Sequence, residues 1–326
     1  MYSSIKGKNV LFITTKNTDY IRNTQEISIL RKNSASLKVI GSASKNYLLR
    51  ILCVYFSLFF TSAAPFDVIF IGFAPQLILP IFHFKFRKKY IIEDFFISMY
   101  DTFCLDRQKF SARGLLGRIL HHIDSLTLRY GDKIISDTKA HGQFFVKEFQ
   151  AEENKLFTLY LEADKELYHP MDNEKPDFLQ GRFTVLYFGS VLPLQGVDVV
   201  LKAYDIVKDT PGITCIFVGP ISDSKLLAAK PQSENILYID WLPQNELASL
   251  IHSADLCLAG HFNADIDKAK RTIPGKAYIY HAMEKPMILG ENPANHELFD
   301  VSDPLITFVE MGNPVALANA ILSNIE

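Results

Sequence analysis

At 326 residues the chain is long enough for two domains of ordinary size, and its 48% hydrophobic and 21% charged content excludes a disordered polymer. A formal charge of −2 leaves no general attraction for polyanions, which argues against nucleic acid as a partner. The four cysteines, Cys53, Cys104, Cys215 and Cys257, have no metal-like spacing, and the expectation is small buried hydrophobes in a reducing cytoplasm.

Short β-branched or aromatic runs alternate with helical stretches from start to end, the signature of parallel sheets with crossover helices. No signal peptide is visible, because residues 1–9 lead only into the short apolar run 10–13. In the first half, strands are expected at 9–15, 37–40, 67–73, 89–94, 133–136 and 156–159. The clearest helices there are 115–129 and 139–149. The segment 48–64, LLRILCVYFSLFFTSAA, has an uninterrupted apolar part about half of the ~20 residues that a membrane span requires. It is expected to be a buried helix of the first domain; the alternative places part of it on a membrane surface. The cluster Lys85-Phe86-Arg87-Lys88-Lys89, with Phe82, Phe84 and the stretch 56–60, points to the same peripheral contact with an anionic membrane. Its alternative is a solvated turn leading into the fourth strand.

Residues 161–182 are charged, carry two prolines and a glycine, and lack a sustained apolar period, so they read as a linker between domains 1–170 and 181–326. Strands then follow at 184–188, 213–218, 236–239, 255–258, 286–289 and 305–309. Helices are expected at 196–207, 244–253, 273–283 and 315–323. The fold class is α/β, with two Rossmann-like domains.

In such domains ligands gather at the carboxyl ends of the strands. The stretch 268–290 is the sharpest candidate. A basic, polar loop runs into Ile273-Pro274-Gly275-Lys276, where proline suits a first helical position. Lys270, Arg271 and Lys276 beside free helix N–H groups suit a phosphate; the alternative is an ordinary crossover helix with a solvated loop. Gly189, Gly196 and Gly219 follow strands and let backbone approach a ligand. Trp241 is either a packed aromatic or a neighbour of a ligand. Asp94 ends the fourth strand and either meets a ligand or caps a turn. His141 lies one helical turn after Asp137, so both can point the same way. Glu297 either reaches a ligand from its loop or caps a helix. His121 and His122 are consecutive and diverge on a helix, so no metal or other cofactor is expected.

The second half resembles the nucleotide-binding domain of GT-B glycosyltransferases, particularly the retaining enzymes of glycosyltransferase family 4. VLYFGSVLPLQGVDVVLKAY is similar to the family's first strand, glycine loop and helix, and ILYIDWLPQNELASLIHSADLCL to its base-binding turn and following strand. IPGKAYIYHAMEKPMI and ENPANHELF resemble the segments that close the donor site. In the first half, EDFFISMYDTFCLDR and SDTKAHGQFFVKEF resemble segments of bacterial surface-polysaccharide transferases. The chain departs from the family at Ser190 and Gln195, where an arginine and a lysine are usual, and at Arg271 and Ile279, where two glutamates are usual.

The resemblance implies two domains whose sheets face across a cleft, a nucleotide-sugar donor, and a glycan or lipid-linked glycan acceptor. It implies metal-independent retaining transfer in surface polysaccharide assembly, in the cytoplasm or at the inner face of the plasma membrane. Asp94, Arg271 and Lys276 are the expected catalytic residues. Donor binding falls to Gly189, Ser190, Gln195, Gly219, Trp241, Leu242, Lys270, Pro274, Gly275, Ala294 and Glu297. Glu93, Asp137 and His141 are expected on the acceptor side. A non-catalytic sugar-nucleotide-binding partner subunit and a GT-B sugar-nucleotide epimerase are the alternatives. The resembling enzymes usually finish with a helix that crosses back onto the first domain; here 315–323 is the last expected helix, three residues before the end, so either the chain is truncated or that crossing is absent.

Overall fold

The computed structural model describes residues 1–172 and 174–325. Asn173, inside the stretch expected to be a linker, and Glu326, the last residue of the second expected domain, lie outside the described residues. The chain divides into two compact units, Met1–Glu162 and Ala163–Glu326.

The first unit holds strands β1 (Asn9–Ile13), β2 (Ser36–Ile40), β3 (Val68–Ile71), β4 (Tyr90–Asp94), β5 (Lys133–Ser136) and β6 (Leu156–Thr158). They form one parallel sheet in the order β2-β1-β3-β4-β5-β6. The central strands read as unbroken apolar runs because both faces are covered, while edge strand β2 alternates. Its helices are α1 (Tyr2–Ile5), α2 (Ile21–Asn33), α3 (Tyr47–Phe60), α4 (Leu79–Phe86), α5 (Leu115–Tyr130) and α6 (Lys139–Phe149). Thr138 caps α6 by accepting from His141 N–H at 3.0 Å.

α3 is not the buried helix expected from its composition. Only Arg50, Val54 and Leu58, one stripe at i, i+4 and i+8, are buried, and they pack beside β2 and α4. Leu48, Leu49, Leu52, Phe56, Phe59 and Phe60 are each more than half exposed. Cys53 is exposed on the same helix, unlike the other three cysteines. Periodicity fixes which residues share a face, and here both faces are apolar, so it could not say which one the sheet covers. Among the described residues no helix is long and apolar enough to cross a membrane. Within the basic cluster, Phe82 and Phe86 are buried, Phe84 is exposed, and Lys85 and Lys89 donate to main-chain carbonyls.

The second unit holds β7 (Phe183–Phe188), β8 (Ile213–Val218), β9 (Ile236–Ile239), β10 (Leu256–Gly260), β11 (Met287–Gly290) and β12 (Ile306–Val309). All are parallel, in the order β12-β11-β10-β7-β8-β9. Chain order reverses between β7 and β10, so the topological switch point lies above their carboxyl ends. Helices α7 (Val197–Val207), α8 (Ser224–Ala228), α9 (Gln244–Ser253), α10 (Asp267–Arg271), α11 (Gly275–Ala282) and α12 (Pro314–Ser323) complete the unit. Part of the expected linker is tied to this unit: buried Tyr168 donates to Gln244, and Lys175 pairs with Asp255 at 2.6 Å.

Candidate functional site

The switch point of the second unit is built from glycines that bring loops into contact. Gly189 leaves β7 at φ +145°, and Gly219 leaves β8 at φ +153°. A Cβ on Gly219 would lie 2.2 Å from the Gly189 carbonyl oxygen, so no larger residue fits there. Gly196, at φ +66°, starts α7 against the backbone of Phe262 and Asn263, 2.6 Å from where its Cβ would be. Phe262 N–H donates to the Gln195 carbonyl (3.2 Å), and the Asn263 side chain donates to Pro193 (2.9 Å). The loops after β7 and β10 are thereby one structure.

Into that structure α11 delivers Lys276. Its Nζ donates to Gln195 Oε1 at 2.8 Å and lies 3.7 Å from the centre of the Tyr187 ring. A Cβ on Gly189 would be 3.3 Å from the same nitrogen. Gly189, Gln195 and Lys276 therefore meet at one point. The Lys276 side chain is buried, and burial pushes its pKa well below the ordinary value. Among the described residues no carboxylate pairs with it. An ammonium held among a ring face and one neutral oxygen is under-compensated, which makes this place receptive to an anion.

The surrounding segment differs from the expectation in two respects. Residues 267–271 form the one-turn helix α10 in place of a loop, and Lys270 pairs on its surface with Asp267 at 3.2 Å. Pro274, with ψ 133°, is the N-cap of α11 and not its first helical residue. Gly275 is exposed and Arg271 is half-buried. Buried Ala294 donates its N–H to the Lys270 carbonyl at 3.4 Å, which ties the loop after β11 to α10. Half-buried Glu297 ends a 3₁₀ turn in that loop. The turn is anchored by Asn295, whose side chain donates to the Gly290 carbonyl and whose N–H donates to Asn292, both at 2.8 Å. The two asparagines were not singled out, although N-x-x-N after a strand is an Asx-turn signature. Ser190 is exposed. Trp241, 72% exposed beyond edge strand β9, is no packed aromatic, and Leu242 beside it is half-buried. Two strand spacings separate β9 from β7, roughly 10 Å.

In the first unit the expected acidic pair is not available to a ligand. Asp94 is buried, and both its oxygens accept from Arg22, Nε and Nη2 each at 2.9 Å. Arg22 also donates to the Leu159 carbonyl and lies 3.8 Å from Glu26, its neighbour one turn on in α2. Burial and the adjacent Asp94 push the Glu26 carboxyl well above the usual range. Adjacent strand residues point to opposite faces, so Glu93 lies on the other side of the sheet. There it is buried against Gly131, whose Cβ would fall 2.6 Å from Oε1, and among the described residues neither carboxylate oxygen has a hydrogen-bond partner. Sequence reasoning missed Arg22; its signal is a polar first turn on α2, directly after a buried strand.

Asp137 and His141 do come together, with Oδ1 2.7 Å from Nδ1. The second ring nitrogen lies 3.9 Å from Asp101 Oδ2. Burial alone would raise Asp137, but His141 and Arg22 outweigh it and hold the carboxyl below its ordinary value. His141 is buried and Asp137 partly exposed, so the pair presents a carboxylate edge backed by an imidazole.

No protein-family model matches the chain, and no curated protein matches it in sequence. Among solved structures it is similar to HepE of Anabaena, crystallised with UDP, at 14% identity and a TM-score of 0.65, over 97% of this chain and 90% of that one. Sucrose-phosphate synthase from Thermosynechococcus elongatus aligns at 10% identity and a TM-score of 0.66, again over 97% and 90%. A glycosyltransferase from Rickettsia africae ESF-5 aligns at 13% identity and 0.64, over 98% and 88%. These likenesses take in both units, and the fold is GT-B.

Proposed function

We propose that the chain is a glycosyltransferase that moves a sugar from a uridine diphosphate sugar to a glycan or lipid-linked glycan. The observation that carries this reading is the buried Lys276 ammonium, which lacks a carboxylate partner at the switch point. Departure of a nucleoside diphosphate builds negative charge, and a pre-placed cation in a desolvated site stabilises it. Lys276 and Arg271 take that role, in place of the two cations that the resemblance places at 190 and 195 and without calling on a metal ion. The UDP held by HepE supports uridine as the base. Trp241 and Leu242, roughly 10 Å along the sheet from β7, are assigned to it, with Gly189, Gly219, Lys270, Pro274 and Gly275 along the diphosphate. Ala294 and Glu297 serve the sugar.

Retention without an enzyme nucleophile is a front-face displacement, in which the site positions substrates and stabilises charge. The Asp137–His141 pair is assigned to the acceptor hydroxyl, a task from which burial removes Asp94 and Glu93. A family 4-like enzyme of surface polysaccharide assembly, working in the cytoplasm at the inner face of the plasma membrane, is the setting this reading favours. A thermal-shift panel of UDP-, GDP-, dTDP- and CMP-sugars, followed by nucleotide release in the stabilised case, tests it. Stabilisation by a UDP-sugar with release of UDP is expected. Stabilisation without release in the presence of glycan acceptors would assign the chain to a binding partner subunit.

A further inference from the structure

We infer that α3 and the end of α4 form a docking surface for an anionic lipid bilayer, on which the first unit rests with α3 in the plane of the membrane interface. The apolar face of α3 is unusually complete. Leu48, Leu52, Phe56, Phe59 and Phe60 are each at least 63% exposed, and no charged side chain interrupts them on that face. The surface continues onto α4. Tyr55 packs edge-on against Phe82 with ring centroids 5.4 Å apart, and Lys85 donates to the last carbonyls of α3. Phe84, next to Lys85 in α4, is 70% exposed.

Charge decides what covers this face. Residues 27–92 hold nine Lys and Arg against one acid, Asp67, a net of +8 (9 − 1). The whole chain is −2, from 34 basic and 36 acidic residues, so the remainder is −10 (25 − 35). Lys45 precedes the N-cap of α3, Lys38 reaches Thr61 at its end, and exposed Arg87 and Lys88 follow Phe84. A second copy of the chain would oppose this charge with its own in a two-fold contact, whereas an anionic lipid surface neutralises it. A helix of 14 residues is about 21 Å long, short of the ~30 Å hydrocarbon core, so it lies along the interface and does not span.

The surface stands on the first unit alone; its bearing on the acceptor, which would then be membrane-borne, rests on the transferase reading. Flotation of the full chain with phosphatidylcholine vesicles, with and without 30% phosphatidylglycerol, contains no sugar donor and so tests the surface separately. Expected is binding to the anionic vesicles that weakens at least tenfold in high salt. The triple variant Leu52→Gln/Phe56→Gln/Phe59→Gln, which alters only exposed positions, is expected to lose binding while retaining its melting temperature and far-UV circular dichroism. Arg87→Glu/Lys88→Glu, with α3 intact, is expected to weaken binding several-fold. Absence of flotation by the wild type at low salt would overturn the proposal. So would undiminished binding by the triple variant, or a dimer that the triple variant dissociates without any change in flotation.

Discussion

The ammonium of Lys276 stands 2.8 Å from the side-chain oxygen of Gln195, a contact across 81 residues of sequence. Position 195 is where the resembling transferases carry a cation of their own. In this chain an amide occupies it, and the charge arrives at the same point from α11. The lysine at the switch point is thus supplied by α11.

Free Lys276 has a depressed pKa, so the unfolded chain holds its proton more tightly than the folded one. Stability of the free protein should therefore rise with pH between that depressed value and the ordinary 10.5. Lys276→Met should flatten the rise. A bound diphosphate favours the ammonium, so UDP binding should raise the depressed Lys276 pKa and take up protons at pH above the depressed value. Calorimetry in buffers of different ionisation enthalpy reads that uptake directly.

Trp241 stands largely clear of the fold. Trp241→Ala should leave stability within about 0.5 kcal/mol. If the ring stacks on a base, the same change weakens UDP binding by about 1–3 kcal/mol, the range for base–aromatic stacking. Denaturant melts and titrations on one preparation separate the two effects.

The Arg22–Asp94 pair is structural. Arg22→Met leaves Asp94 buried beside Glu26 without its arginine, and should cost about 3–5 kcal/mol in urea unfolding. Loss of activity in Asp94→Ala would then follow the loss of fold, and the melting curve would show it.

Glu93 has the opposite sign. Burial raises its pKa well above the ordinary 4.5, so the folded state binds the proton more tightly. That contribution is lost as pH climbs from about 4.5 through the raised value. Glu93→Met removes an unpartnered buried carboxyl and should stabilise the protein at pH 7 by about 1–3 kcal/mol, with less gain at pH 4.

The sheets were legible because Val10–Ile13, Val68–Ile71 and Ile213–Val218 are runs of apolar and β-branched residues with no charge, and parallel sandwiched strands demand that composition. The glycine loops were legible for the same kind of reason, since Gly189, Gly196 and Gly219 mark backbone that no other residue can follow. What escaped depends on which neighbour a side chain meets. Asp94 ends β4 and Asp137 follows β5, yet one is sealed by an arginine from α2 and the other keeps an exposed edge beside His141. Nothing local to either aspartate carries that distinction. α3 escaped likewise, because a helix apolar nearly all round does not say which side it buries.

Titration of UDP and of uridine into the wild type and Lys276→Met tests the assignment of the diphosphate most directly. A charged hydrogen bond of about 1.5–3 kcal/mol predicts roughly a 10- to 150-fold loss of UDP affinity in the variant, with uridine affinity unchanged. Equal UDP affinity in the two proteins, or a wild type that binds neither ligand, would contradict it.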